Sequence, residues 1–373
     1  MTALQSHELL AATQLNLTPG LGPRLQQNLL TRFGSPTEIF QATGRELLSV
    51  EGIGPKISAA ITERRSMEEA EREVALAEEH GVSLLLRGSD EYPNGLTEIA
   101  DPPSVLYAQG TLTKQDSLAI GIVGSRNCTH YGRTQAQKLA AGLGRAGITV
   151  VSGLARGIDA AAHRGALEAG GRTLAVFATG VLKLYPPEHG GLADEVKTAG
   201  AIISESPLNR GPNKGLFPQR NRIIAGLSLG VIIVEAGRKS GALHTARHAL
   251  EQGREVFALP GRIDSMASEG CHDLIRDGAT LIRGVDDVLE SLGPLMEPVK
   301  TKDEEVVYTP RELNLNDQER AILNLIDTAP TPIDNVLATA GIETSRVLST
   351  LTVLEMKRLV RRLPGSMIER TFG

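Results

Sequence analysis

The stretch AIGIVGSRNCTHYG, Ala119–Gly132, decides the fold. A run of small and β-branched residues ends at Gly124-Ser125, and a helix-like segment follows, so it reads as strand, tight turn and helix. A dinucleotide-binding turn carries G-x-G-x-x-G at such a place, and its second glycine lets a pyrophosphate approach the backbone. Here Arg126 stands in that position. The turn keeps the strand-to-helix frame and offers a guanidinium in place of bare backbone. The expected ligand is therefore a phosphate held by a side chain at a helix N-terminus.

Eight more short apolar runs flank this one: VSLLL, VLYA, ITVVSG, TLAVFA, AIISE, GVIIVEA, EVFALP and ATLI. They alternate with amphipathic stretches between Gly81 and Leu292. That alternation predicts a large, mostly parallel sheet covered on both faces, an extended Rossmann-like domain over 81–292. Ligands of open parallel sheets bind beyond the carboxyl ends of the strands. Four loops there combine small residues with a hydroxyl or a base: Gly124-Ser125-Arg126, Ser152 to Gly157, Gly237 to Gly241 with Ser240 and Gly241, and Pro260-Gly261-Arg262. Together they predict an anion-binding rim.

Ahead of this domain, residues 1–75 twice repeat Gly-x-Gly-Pro between apolar helical stretches, in TPGLGPRLQQNLLTRFG and VEGIGPKISAAITERR. This is the pattern of a helix-hairpin-helix. Its turn can present backbone N–H groups to a DNA phosphate, or can serve for packing alone. After Leu292 a polar stretch predicts a linker over 293–313. Residues 314–373 then read as three helices and a hairpin, RRLPGSMIER, the makings of a winged helix. From Asn314 on, seven basic residues face seven acids, so the segment has no excess charge for duplex binding.

Composition narrows the function. Aromatics are 3% of the 373 residues and Trp is absent, which argues against a carbohydrate cleft. The net charge of −5 argues against a general duplex-coating protein, so any nucleic-acid site must be a local patch. Cys128 and Cys271 lie far apart, outside any C-x-x-C, which fits a reducing cytoplasm and no zinc cluster. The start MTALQSHELLAATQL lacks the basic and apolar regions of a signal peptide, and no apolar run approaches a membrane span. The chain reads as cytoplasmic.

The most informative run is PNKGLFPQRNRIIAGLS, Pro212–Ser228. Lys214, Arg220 and Arg222 surround Phe217, with Asn221 between the arginines. A base can stack on the ring while cations meet phosphates, which is what single-stranded nucleic acid requires. On a helix starting near Pro218, Arg220 and Arg222 point about 200° apart. One is expected at the nucleic acid and the other in an internal pair with Glu205 or Glu235.

Catalytic constellations are weaker. Asp159 and His163 share a helix face near Ser152, but Ser152 lies outside a G-x-S-x-G elbow, so a helix-capping or buried Asp–His pair is expected. His244 and His248 lack the glutamate of H-E-x-x-H and a third ligand, so no metal site is expected. No Walker lysine motif occurs.

These blocks carry a resemblance. GIVGSRNCTHYG, VSGLARGIDAAAHRGALEAGGRTLAVFATG, YPPEH, FPQRNRIIAGLS, VIIVEAGRKSGALHTARHALEQGREVFALPG and SEGCHDLIRDGA are similar, in order, to the successive motifs of the bacterial DprA/Smf family, DNA-processing protein A. The resemblance implies three parts: an N-terminal helical domain, an extended Rossmann domain and a C-terminal winged helix. It also implies a non-enzymatic, homodimeric protein that binds single-stranded DNA and loads a RecA-type recombinase during transformation, with no cofactor. The family's DNA pocket falls on Gly124, Ser125, Arg126, Lys214, Phe217, Arg220, Asn221 and Arg222. The N-terminal hairpins look closer to helix-hairpin-helix than to the SAM-like bundle of some relatives. The rival reading is a Rossmann-type nucleotide phosphoribohydrolase using Glu235 and the Ser240-Gly241 loop. AGRKSGALHT stands where that group's Gly-Gly-x-Gly-Thr loop would be.

Overall fold

A computed structural model describes residues 3–292, 299–300, 306–307, 317–326, 330–356 and 359–370. They form two units: residues up to Gly144 with Thr149–Leu281, and Arg145–Ile148 with residues from Ile282 on.

The first unit begins with six helices: α1 (Ala3–Leu17), α2 (Pro23–Phe33), α3 (Pro36–Gln41), α4 (Gly44–Leu48), α5 (Pro55–Glu63) and α6 (Glu68–Glu79). Both predicted hairpins are present. α2 and α5 start at the two prolines, each after a glycine N-cap. Proline suits this position because its missing N–H would have no intrahelical partner. Gly20 (φ +80°) and Gly52 (φ +83°) make the turns in the left-handed region. Leu15, Leu29, Ile39, Leu47 and Ile61 form the core beneath.

A nine-stranded sheet follows, with β1 (Ser83–Leu86), β2 (Val105–Gly110), β3 (Ala119–Gly124), β4 (Thr149–Ser152), β5 (Thr173–Phe177), β6 (Ala201–Ser204), β7 (Gly230–Val234), β8 (Glu255–Ala258) and β9 (Thr280–Leu281). All nine apolar runs form strands. Spatial order is 1-2-6-5-4-3-7-8-9. The pairs from β6 to β9 are parallel, while β2 pairs antiparallel with β1 and β6. β3, β4, β5 and β7 are buried almost throughout, which is why they read as unbroken apolar runs without alternation. Helices α7 (Asn94–Thr97), α8 (His130–Arg145), α9 (Ile158–Glu168), α10 (Gly190–Ala199), α11 (Leu216–Gly226), α12 (Ala242–Glu251) and α13 (Glu269–Arg276) connect them.

The second unit carries α14 (Val285–Leu292), α15 (Asp317–Leu323), α16 (Ile333–Thr339) and α17 (Thr344–Met356). A three-stranded antiparallel sheet has Thr331–Pro332 at one edge and the hairpin Val360–Leu363 and Met367–Arg370 as the wing. Gly365 (φ +83°) and Ser366 (φ +57°) turn it. Ile322, Val336, Val347, Leu351 and Leu354 make the core of this winged helix. In the wing Arg361 pairs with Glu369 and Arg362 with Glu355, in keeping with the balanced charge. The expected linker 293–313 lies outside the described residues, save for Val299–Lys300 and Val306–Val307, which pair antiparallel.

One helix contact gives a test of packing. A methyl group at Gly165 in α9 would overlap the backbone of Gln137 in α8. Glycine to alanine inside a helix normally stabilises by about 0.5–1 kcal/mol. Gly165→Ala should instead destabilise, by about 1–3 kcal/mol, because backbone cannot yield as a side chain does. Urea unfolding of the variant against the parent reads the sign.

Candidate nucleic-acid interface

The chain reverses direction across the sheet between β3 and β7. From β3 it winds outward through β4, β5 and β6, and then resumes on the other side at β7. Such a switch point opens a crevice at the strand ends, where ligands of this architecture bind. Here the crevice is closed from within. Gly124 lies opposite Val234 in the ladder, and Ser125 N–H donates to the Glu235 carbonyl at 2.7 Å. The Glu235 side chain, 4% exposed, accepts from Thr129 N–H at 2.7 Å and from Thr129 Oγ1 at 2.5 Å, at the start of α8. A methyl group at Gly132 would overlap that carboxylate.

This corrects the expectation that a DNA phosphate sits at the N-terminus of α8. A carboxylate of the chain itself already fills that place and satisfies the helix dipole. It also removes Glu235 as a partner for the arginines of α11. Nor is Glu235 presented to a nucleotide as a catalytic carboxylate, as the phosphoribohydrolase reading requires. Glu235 adopts φ +49°, in the left-handed region that a side chain there seldom takes. Leu154, after β4, does so too at φ +53°.

With the helix end filled, Arg126 turns outward. It is exposed, and its guanidinium carbon lies 4.8 Å from the centroid of the Phe217 ring, a cation–π contact between residues far apart in sequence. Phe217, in the first turn of α11, is half-buried, and Lys214 lies exposed just ahead of that helix. The Phe217 ring also meets Tyr185, with centroids 5.6 Å apart and planes tilted by 59°. Arg126 and Phe217, both singled out in the sequence, thus meet, and Tyr185 joins them. The sequence showed Tyr185 only as part of YPPEH, with nothing to place it beside Phe217.

Arg220 and Arg222 point apart as expected, but neither reaches solvent. Arg220 is 5% exposed and donates to the carbonyls of Gly153, at 2.9 Å, and Val176. It therefore caps the carboxyl ends of β4 and β5. Burial lowers its pKa to about 10, with neighbouring Asp159 acting the other way. Arg222, 3% exposed, pairs with Glu205 at 2.5 Å and Asp101 at 3.1 Å. The Glu205 pairing was expected. An open phosphate contact by either arginine was also expected, and their burial corrects it. Asn221 is buried as well, its amide donating to the Gly241 carbonyl at 3.2 Å, while Ser240 Oγ accepts from Ala242 N–H at the start of α12. These residues tie α11 to the neighbouring loop. In the outer rim loops Arg238 pairs with Asp273 and Arg262 with Asp264, while Lys239 is exposed.

The first hairpin is docked on the sheet. Asn16 donates to the Glu205 carbonyl, Ser104 Oγ to Gln26 and Arg87 to Gln27. Its turn, Thr18–Pro23, lines a groove of about 360 Å³ with Pro103–Val105, Glu205–Pro207 and Arg210.

Ser152 is buried and donates to the Ile122 carbonyl at 2.6 Å. Asp159 accepts from the N–H groups of Gly153 and Ala155, and His163 Nδ1 bonds Thr173 Oγ1 at 2.7 Å. All three are buried and bonded within the chain, but Asp159 and His163 bond to separate partners, so the expected pair between them does not form. Among the described residues no cluster suits a metal ion, and no helix is long and apolar enough to cross a membrane.

Two outcomes follow. Glu235→Gln loses a buried charge-assisted anchor and should destabilise by about 1.5–3 kcal/mol in urea unfolding. Burial pushes the His163 imidazole down to about 3 from 6.5. The folded state then refuses a proton that the unfolded chain takes up. This contribution to stability is complete above the ordinary pKa and is lost as pH falls from about 6.5 toward 3, at up to about 1.4 kcal/mol per pH unit. In paired unfolding curves His163→Gln should flatten that acid slope.

The chain matches the family described as DNA recombination-mediator protein A over residues 83–293. It also matches the DprA winged helix domain over 308–366 and the SAM-like helix-hairpin-helix tandem over 15–65. It is 34% identical to Protein Smf of Synechocystis, covering 94% of this chain and 96% of that one. It is 44% identical to DNA processing protein DprA of Bacillus subtilis over 59% of this chain and 75% of that one. The crystal structure of DprA from Streptococcus pneumoniae superposes with a TM-score of 0.66 at 34% identity, over 78% of this chain and 98% of that one. A structure of DNA processing protein A from Helicobacter pylori, described for its single-stranded DNA binding mode, superposes with a TM-score of 0.51 at 32% identity, over 57% and 95% of the two chains. With the switch-point sheet, the hairpin tandem and the winged helix all in place, the chain belongs to the DNA recombination-mediator protein A family.

Proposed function

We propose that this chain is a cytoplasmic, homodimeric, non-enzymatic protein that binds single-stranded DNA and mediates loading of a RecA-type recombinase onto it. The observation that carries the reading is the Arg126 guanidinium over the Phe217 ring, beside exposed Lys214. A planar cation there occupies the position a nucleobase takes when it stacks on an aromatic platform. On binding, the base replaces the guanidinium on the ring and Arg126 moves to the adjoining phosphate, where Lys214 adds a second cation. Gly124 and Ser125 hold the turn that presents Arg126. Arg220, Asn221 and Arg222 act from inside, holding α11 and therefore Phe217 in place, and Asn221 links them to Ser240-Gly241. The single-stranded DNA bound by the H. pylori relative supports the choice of ligand.

A labelled oligothymidine, followed by anisotropy at several salt concentrations and competed with duplex of equal length, tests this. Tight, salt-dependent binding that duplex fails to displace is expected. Arg126→Ala should weaken it and lower the salt slope by about one. Phe217→Ala should weaken it by about 5- to 100-fold with the slope kept, since stacking carries no counterion. Easy displacement by duplex would sink the reading.

A further inference from the structure

Next to the Arg126–Phe217 pair stands a second cation and a second ring that the proposed site leaves unused. Arg156 lies in the loop after β4, and that loop is locked to the Arg126 turn. Ile158 N–H donates to the Ser125 carbonyl at 3.2 Å, and Gly157, at φ +77°, packs so closely on the Ser125 and Arg126 carbonyls that a methyl group there would overlap them. The same loop is locked to the Tyr185 segment, because buried His189 bonds the Leu154 carbonyl through Nδ1 at 2.9 Å. Arg156 is exposed. It meets Glu188, three residues after Tyr185 in the same segment, at 2.5 Å, and both side chains are about half exposed (52% and 49%). An ion pair so open to water contributes little, and a phosphate can replace its carboxylate. Arg222 is different, since its two carboxylates hold it at 4% side-chain exposure.

We infer that Arg156 and Tyr185 form a second nucleotide subsite, which takes the neighbour of the nucleotide held by Arg126 and Phe217 on the same strand. The inference rests on the single-strand reading above and adds a cause for strand selectivity. Tyr185 and Phe217 are tilted by 59°. Two successive bases that each lie flat on one of these rings cannot remain stacked on one another. A single strand can splay its bases in this way, whereas a duplex would have to unstack and unpair. Glu188 then acts as the competitor that an arriving phosphate displaces.

Because the chain has no tryptophan, Tyr185→Trp places a lone indole in this subsite. Its emission should be quenched by oligothymidine with the midpoint that anisotropy gives for the same variant. Arg156→Ala should weaken binding and lower the salt slope by about one, and Tyr185→Leu should weaken it by about 5- to 100-fold. Glu188→Gln should tighten binding several-fold, a gain that poor folding cannot imitate. If the parent binds oligothymidine through Arg126 and Phe217 while the indole stays unquenched and the Arg156, Tyr185 and Glu188 variants bind like the parent, the second subsite is overturned and the first stands. If the parent binds no oligothymidine, both fall together.

Discussion

The Glu235 carboxylate at the start of α8 is the contact on which the site depends. In a parallel sheet with a switch point, the first helix N-terminus beyond the crevice is the natural place for an anion. Here the anion is internal and buried, held by Thr129 and by the close approach of Gly132. The backbone of the same residue receives Ser125 N–H, so one glutamate joins the end of β7 to the turn after β3. Its φ of +49° is the backbone cost of serving both purposes. With the crevice filled, the side chains left open to an anion are those on the rim.

The arginines divide accordingly. Arg220 and Arg222 stay inside because strand-end carbonyls hold the one and two carboxylates pair with the other, and a buried guanidinium without such partners would be strongly destabilising. Arg126 and Arg156 stay outside, and each is met only by a weak, replaceable partner: a ring in one case, an exposed carboxylate in the other. A net charge of −5 and a basic ligand site are therefore compatible. What matters is which cations remain open, since Arg238, Arg262, Arg361 and Arg362 all have acidic partners.

The two Gly-x-Gly-Pro turns, nearly alike in sequence, differ in surroundings. The first is pinned to the sheet through Asn16, Gln26 and Gln27 and lines a groove with Arg210. In the second, Gly52, Pro55 and Lys56 are exposed. Local sequence specifies the turn geometry of both. The polar side chains around each turn, and the strands they meet, specify its environment.

Much of this protein could be read in its sequence. Nine apolar runs became nine strands, and the central ones read as unbroken runs because a strand buried on both faces must be apolar along its length. The hairpin prolines and glycines fixed two helix starts through φ alone. Arg126, Lys214 and Phe217 stood out by residue type, and the 200° separation of Arg220 and Arg222 followed from helical pitch. Burial could not be read in this way. Arg220 and Arg222 look as exposed as Arg126 in sequence, and only packing places strand-end carbonyls, Glu205 and Asp101 around them. Glu235 filling a helix N-terminus over a hundred residues earlier, and Tyr185 meeting Phe217, are long-range contacts. Periodicity and turn chemistry act over a few residues, so they determine the elements. The crossovers of the sheet determine which strand ends become neighbours, and the site is made of those neighbours.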